Sequence, residues 1–350
     1  MRSGAYDSAV SPASSQAGQA RADGISVVVT VLDDRAALAD LLDALGAQTR
    51  TPEEVVVVDG GSSDGTRELL EERGARISLR VLVEPGVNIS AGRNAGVRAA
   101  AHEWIAVTDA GCRPDPGWLA AIDAARADAD FVAGVYRVEA ETALERALAD
   151  ALYPAPEELE RPSCSVRLWQ RAFGKRFEAA SATGRSMAFT RAVWERAGGF
   201  PEELYAGEDV AFSRAVVGSG AKARLATRAA VAWRPRMTWG ANAQMYRTYA
   251  RGDVRRGSVA THVLRAGAWL GTAAFALAGG RAGRLLAAAW FAAYTSVPLL
   301  RARARGHGPA VVWRIPLAIA MKDLSQIQGA ILGLLDRGRR VPQPVPKRRA

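Results

Sequence analysis

A doubly wound α/β fold on a mostly parallel sheet is what this sequence predicts, and three observations carry the reading. Short β-branched runs alternate with stretches of helical period from Ile25 onward. The first run, ISVVVTV, is continuously apolar, as a strand buried on both faces requires. Two later runs close on Asp59 and Asp109, at the carboxyl ends of strands, where open α/β sheets bind their ligands.

The elements follow in order. After ISVVVTV, Leu38, Leu41, Leu42 and Leu45 recur at helical spacing. EVVVVD, LRVLVE, EWIAVTD and DFVAGVYRV repeat the strand signal, with helical stretches near residues 65–74, 90–101 and 116–127 between them. This is a βαβ series. Ordinary turn aspartates are the alternative reading of the pair.

A chain of 350 residues, 49% hydrophobic, can bury one large core over residues 25–255 and still carry an appendage. Residues 1–24 are rich in Ser, Ala, Gly and Gln without a signal-peptide core, so a disordered tail is expected. Two cysteines and three scattered histidines form neither a disulfide framework nor a zinc cluster, which suits a reducing, intracellular compartment.

The formal charge of +10 points to a polyanionic partner: nucleic acid, acidic bilayer or phosphorylated substrate. Much of the arginine excess brackets the apolar C-terminal segments and builds no recognition helix, so no nucleic-acid partner is expected. Residues 266–280 and 285–300 carry no charge, and Trp269, Trp290, Trp313 and the run RARARG at 301–306 lie nearby. Both stretches fall short of the roughly 20 residues a spanning helix needs. A tight hairpin, an interfacial helix pair, full spans or a soluble packed hairpin are all open, and residues 256–337 read as a membrane-associated helical region. The last residues, 338–350, read as a basic disordered tail.

Five segments carry chemistry. VVVVDGGSSDGT at 55–66 ends a strand in Asp59, whose carboxylate can accept hydrogen bonds from a base or a ribose. NISAGRNAG at 88–96 offers a helix start, with Ser90 as its cap and Arg93 to suit a diphosphate. EWIAVTDAGCRPDPGWL at 103–119 presents Asp109, an oxygen ligand suited to Mg²⁺ or Mn²⁺. Neighbouring Cys112 reads as a packed residue, since a hard cation beside phosphate prefers oxygen. The segment at 184–217 holds a GGF turn and then the acidic pair Glu208 and Asp209 opening a helix. That pair alone also reads as charge complementing a helix dipole. WRPRMTWGANAQMYRTYARGD at 233–253 clusters arginines and aromatics, which suits stacking and phosphate binding or a basic face on a membrane.

In order and spacing these segments resemble the family-2 glycosyltransferases of the GT-A fold, over roughly residues 25–255. The resemblance implies an inverting transfer of a sugar from a nucleoside-diphosphate sugar to a hydroxyl acceptor, with a lipid-linked or cell-envelope acceptor suggested by the apolar C-terminus. It implies that Asp33, Asp34 and Asp59 hold the nucleoside, that Arg93 and a cation at Asp109 face the diphosphate, and that Asp209, beside Glu208, is the base. Gly184, Arg185, Trp233, Arg236, Gln244 and Arg247 fall on the acceptor side. The family's Asp-x-Asp is incomplete here, reading Asp109-Ala110-Gly111. Trp233 replaces a metal-binding histidine, and Gln244-Met245-Tyr246-Arg247-Thr248 departs from the processive Q-x-x-R-W. A nucleotidyltransferase would carry a glycine-rich loop where this chain has TVLDDRAAL. The other reading is a catalytically silent nucleotide-sugar binder in a membrane complex.

Overall fold

A computed structural model describes residues 21–74, 78–154, 157–160, 162–173 and 177–336; residues 1–20 and 337–350, most of the two expected tails, lie outside it. The chain runs β1 (Arg21–Val31), α1 (Arg35–Gly46), β2 (Glu54–Asp59), α2 (Thr66–Arg73), β3 (Leu79–Val83), α3 (Ile89–Ala99), β4 (His102–Asp109), β5 (Cys112–Pro114), α4 (Trp118–Arg126) and β6 (Phe131–Val138). Then come α5 (Ala143–Leu152), α6 (Glu157–Glu160), α7 (Cys164–Ala172), β7 (Met187–Thr190), α8 (Arg191–Arg196), α9 (Glu208–Gly218), β8 (Ala223–Trp233) and α10 (Trp239–Arg255). Four helices close the described chain: α11 (Ala260–Ala278), α12 (Gly280–Ala304), α13 (Pro309–Val312) and α14 (Arg314–Leu335).

Eight strands form one sheet in the order β3-β2-β1-β4-β7-β6-β8-β5. The β3-β2-β1-β4 half is wholly parallel, as the βαβ series requires. Beyond it, β7 pairs antiparallel with β4 and β6, β8 is parallel to β6, and β5 is antiparallel to β8. β1 starts at Arg21, so four residues expected in the tail extend a strand alongside β4.

Val27 and Val29 of β1 enter one apolar core and Val28 the other, which is why the run shows no polar alternation. Leu38, Leu41, Leu42 and Leu45 are all buried in the first. A third core joins α5 to α12, α13 and α14 through Ala147, Leu148, Tyr294, Val311, Ile315 and Ile319. There α14 lies tight on α10: a Cβ at Gly329 would stand 2.2 Å from the Arg247 carbonyl oxygen, a distance only glycine permits.

The two charge-free stretches fall largely in helices longer than they suggest, 19 residues in α11 and 25 in α12, and the first runs on through the Gly279–Gly280 junction between them. Among the described residues α12 is the one helix long and apolar enough to cross a membrane. Leu264, Leu270 and Leu277 of α11 and Leu285, Leu286 and Leu300 of α12 are exposed.

Candidate active site

Strand register brings the acidic ends together. Val31 pairs with Asp59 and Thr30 with Asp109, so the two carboxylates flank the end of β1 at nearly one level. The Asp33–Asp34 turn follows directly, with Asp33 in the left-handed region at φ 49°.

Asp59 is fully buried. Its Oδ1 accepts from the Ser62 N–H (2.9 Å), the Ser62 hydroxyl (2.6 Å) and the Gly61 N–H (3.2 Å). Its Oδ2 is buried with no hydrogen-bond partner among the described residues. Asp33 accepts from the Ser63 N–H at 2.7 Å and donates its own N–H to the Ser62 hydroxyl at 2.9 Å. Asp33 and Asp59 thus stitch the loops after β1 and β2 into one unit, and Asp34 lines the cleft beside it.

Helix α3 is capped by Asn88, whose side chain accepts from the Ala91 N–H at 2.9 Å. Ser90, expected as the cap, lies inside the helix instead, and its buried hydroxyl has no partner among the described residues. Arg93 is 1% exposed and lies over the Phe200 ring. It donates to Asp109 Oδ1 at 2.6 Å and to Glu208 Oε1 at 2.9 Å. Read from sequence as a counter-charge for diphosphate, Arg93 is here shared between two carboxylates of the chain. A Cβ at Gly184 would stand 2.0 Å from the Arg93 guanidinium, so glycine leaves room for that cation.

Glu208 and Asp209 open α9, and their environments diverge. Burial, and after it the adjacent Asp209, hold the Glu208 carboxyl above the usual carboxylate range, against the pull of Arg93. Asp209 is half-buried, with Oδ2 accepting from the Gly184 N–H at 3.1 Å and Oδ1 from the Val210 N–H at 2.7 Å. Asp209 lines the cleft, where a proton acceptor has to lie.

The opposite wall is aromatic. Trp233, at the end of β8, meets Tyr153 edge-on at 5.4 Å, and the Tyr153 hydroxyl shares a 2.7 Å hydrogen bond with that of Tyr246. The Arg185 guanidinium lies 4.3 Å from the Trp233 ring and 4.9 Å from Tyr136. The cleft, about 1190 Å³, runs from Thr30 and Asp34 to Lys322 and Gln326 on α14, and Arg236 lines it. Gln244 and Arg247 are not among its lining residues. They lie on another face of α10, where Gln244 is exposed and Arg247 donates to Gln328 of α14 at 3.2 Å.

The residues around Asp109 do not make a ready divalent-cation site. Asp109 Oδ1 already accepts from Arg93, position 111 is glycine and position 233 is tryptophan. Burial, then Asp109, push the Cys112 thiol up to about 12, and a soft sulfur ligand does not suit a hard cation beside phosphate. Among the described residues no group of three His, Cys, Asp or Glu side chains that could hold a metal ion is present.

Asn94 is a residue whose role sequence reading missed. Its Oδ1 accepts from the Phe200 N–H (2.9 Å) and from the Trp194 indole (3.1 Å), while its Nδ2 donates to the Phe200 carbonyl (2.8 Å). It therefore holds the GGF turn that leads to Glu208 and Asp209. The AGRNAG string pointed at this residue without indicating its partner, 106 positions away.

The profile of Glycosyl transferase family 2 matches residues 26–186, from β1 to the residue before β7. That span belongs to this family, and the fold is GT-A. It contains Asp33, Asp34, Asp59, Arg93, Asp109, Gly184 and Arg185 and stops short of Glu208 and Asp209. Similar proteins include glycosyltransferase AglE of Haloferax volcanii, 33% identical over 27% of this chain and 33% of that one. Validoxylamine A glucosyltransferase of Streptomyces hygroscopicus subsp. limoneus is 33% identical over 29% of this chain and 24% of its own. The matched region thus spans a third or less of these relatives' length. Among solved structures, the mannosyltransferase PcManGT from Pyrobaculum calidifontis, in complex with GDP-Man and Mn²⁺, superposes with a TM-score of 0.56 at 19% identity, covering 91% of this chain and 88% of that one.

Proposed function

We propose that this protein is an inverting glycosyltransferase that moves a sugar from a nucleoside-diphosphate sugar to an acceptor hydroxyl. The observation that carries the reading is Asp209. It is a carboxylate positioned by two backbone N–H groups, lining the same cleft as Arg93 and Asp109. In the reaction its oxygen takes the acceptor proton as the acceptor oxygen bonds to the anomeric carbon. The bond from that carbon to the diphosphate breaks on the opposite face, and nucleoside diphosphate leaves with the electron pair. Glu208, buried against Arg93, positions that arginine and through it Asp109. Asp59 and the Asp33–Asp34 turn shape the nucleoside end.

The exposed leucines of α11 and α12 support residence at the cytoplasmic face of a membrane, and the cleft's reach to α14 supports a lipid-linked acceptor of the cell envelope. The test is release of nucleoside diphosphate by detergent-purified protein across UDP-, GDP- and dTDP-sugars, with membrane extract as acceptor source. Release from one donor class is expected. Binding of a nucleotide sugar without release from any donor would favour the silent-binder reading, which the engagement of Asp109 by Arg93 permits.

A further inference from the structure

Arg185 is a cation without an anion. Among the described residues no carboxylate lies within ion-pair distance of it, and its Nε is buried without a hydrogen-bond partner. Two other arginines that line the cleft differ: Arg93 has Asp109 and Glu208, and Arg256 has Asp253 and the Gly207 carbonyl. A half-buried guanidinium held only by ring faces is left with unsatisfied donors and an uncompensated charge, both of which an incoming anion would relieve.

Its position says which anion. Trp233 and Tyr136 hold the guanidinium at 4.3 and 4.9 Å, and the side chain lines the cleft together with Asp109, Gly111 and Trp233. Those are the positions at which the expected metal ligands are missing or altered: Asp109 is engaged by Arg93, and Gly111 and Trp233 have no oxygen or imidazole to offer. The aromatic residue in the place of a ligand is itself the platform that fixes the cation.

We propose that Arg185, fixed on Trp233 and Tyr136, serves in place of a divalent cation as the counter-charge for the donor's diphosphate, so that donor binding and transfer proceed without Mg²⁺ or Mn²⁺. This rests on the donor reading given above. Arg185, assigned by sequence to the acceptor side, then acts on the leaving group. Its planar fork of donors can take two phosphate oxygens at once, and its charge offsets the one that builds on the departing diphosphate.

The test is binding of UDP, GDP and dTDP, and of the matching nucleosides, to metal-stripped full-length protein in EDTA, then with Mg²⁺ or Mn²⁺ restored. Wild type is expected to bind one diphosphate with an affinity that the metals change by less than about twofold. Arg185→Gln should weaken that diphosphate at least about tenfold, a loss of about 1.4 kcal/mol, while leaving the nucleoside unchanged. The unchanged nucleoside shows that the variant is folded, and Arg185→Lys should recover part of the loss. Diphosphate binding that vanishes in EDTA and returns with Mn²⁺, or an Arg185→Gln affinity equal to wild type, would overturn the proposal and leave the glycosyltransferase reading standing. No diphosphate binding under any condition would overturn both.

Discussion

Arg93 donates to Glu208 at 2.9 Å across 115 residues of sequence, tying the helix after β3 to the start of α9. The same guanidinium reaches Asp109 at 2.6 Å, so one buried cation sets the spacing between the carboxylate at the end of β4 and the acidic pair that opens α9.

Removing that cation strands two carboxylates, one of them deeply buried. Arg93→Met should therefore lower stability by about 3–5 kcal/mol, the usual cost of breaking a buried ion pair from one side. Arg93→Lys should lose less, since a point charge can serve one carboxylate but lacks the fork that reaches both. Thermal or urea denaturation checks this, and an Arg93→Met midpoint equal to wild type would show that the bridge does not hold the two halves together.

Stability should also respond to acid through Glu145. Burial works to raise this carboxyl, yet hydrogen bonds from Arg234 and from the backbone of Thr142 and Glu141 bring it down from 4.5 to about 2. A carboxylate with a depressed folded-state value stabilises fully above its unfolded value, and the contribution fades as pH falls through the folded one. Glu145→Gln should thus cost about 1–3 kcal/mol at neutral pH, with the gap to wild type closing between pH 4.5 and about 2. A gap that is constant with pH would contradict it.

The apolar face of α11 gives a membrane prediction. Leu270 and Leu277 are 71% and 88% exposed, and burying each in a bilayer surface would contribute about 1.5–3 kcal/mol. Replacing both with glutamate should lower binding to anionic vesicles by at least about tenfold in flotation, with circular dichroism unchanged. Equal flotation would place the membrane contact elsewhere or nowhere.

Which of these features could be read from the chain follows from how local each one is. The run ISVVVTV, the leucines of α1 and the acidic strand ends are short-range patterns, and β1, α1, Asp59 and Asp109 stand where they indicate. β8, ARLATRAAVAW, is rich in alanine and carries two arginines, so its strand character comes from pairing with β6 and β5. The pairing of β7 between β4 and β6 likewise depends on partners distant in sequence. Asn88 and Ser90 are both good caps, and only the backbone conformation chooses between them. Gln244 and Arg247 resemble a processive motif, yet Gln244 is exposed and Arg247 is claimed by α14, which no local pattern announces. Arg185 is the sharpest case: its seat on the Trp233 ring depends on β8 carrying that tryptophan across the sheet.

The proposed transfer rests on Asp209 as its base. Its most direct test compares Asp209→Asn with wild type, using the donor that supports turnover and measuring both donor affinity and the rate of nucleoside diphosphate release. Donor affinity should be unchanged and release should fall at least about a hundredfold, the usual contribution of a positioned general base. A folded Asp209→Asn protein that binds donor and releases diphosphate at the wild-type rate would contradict it.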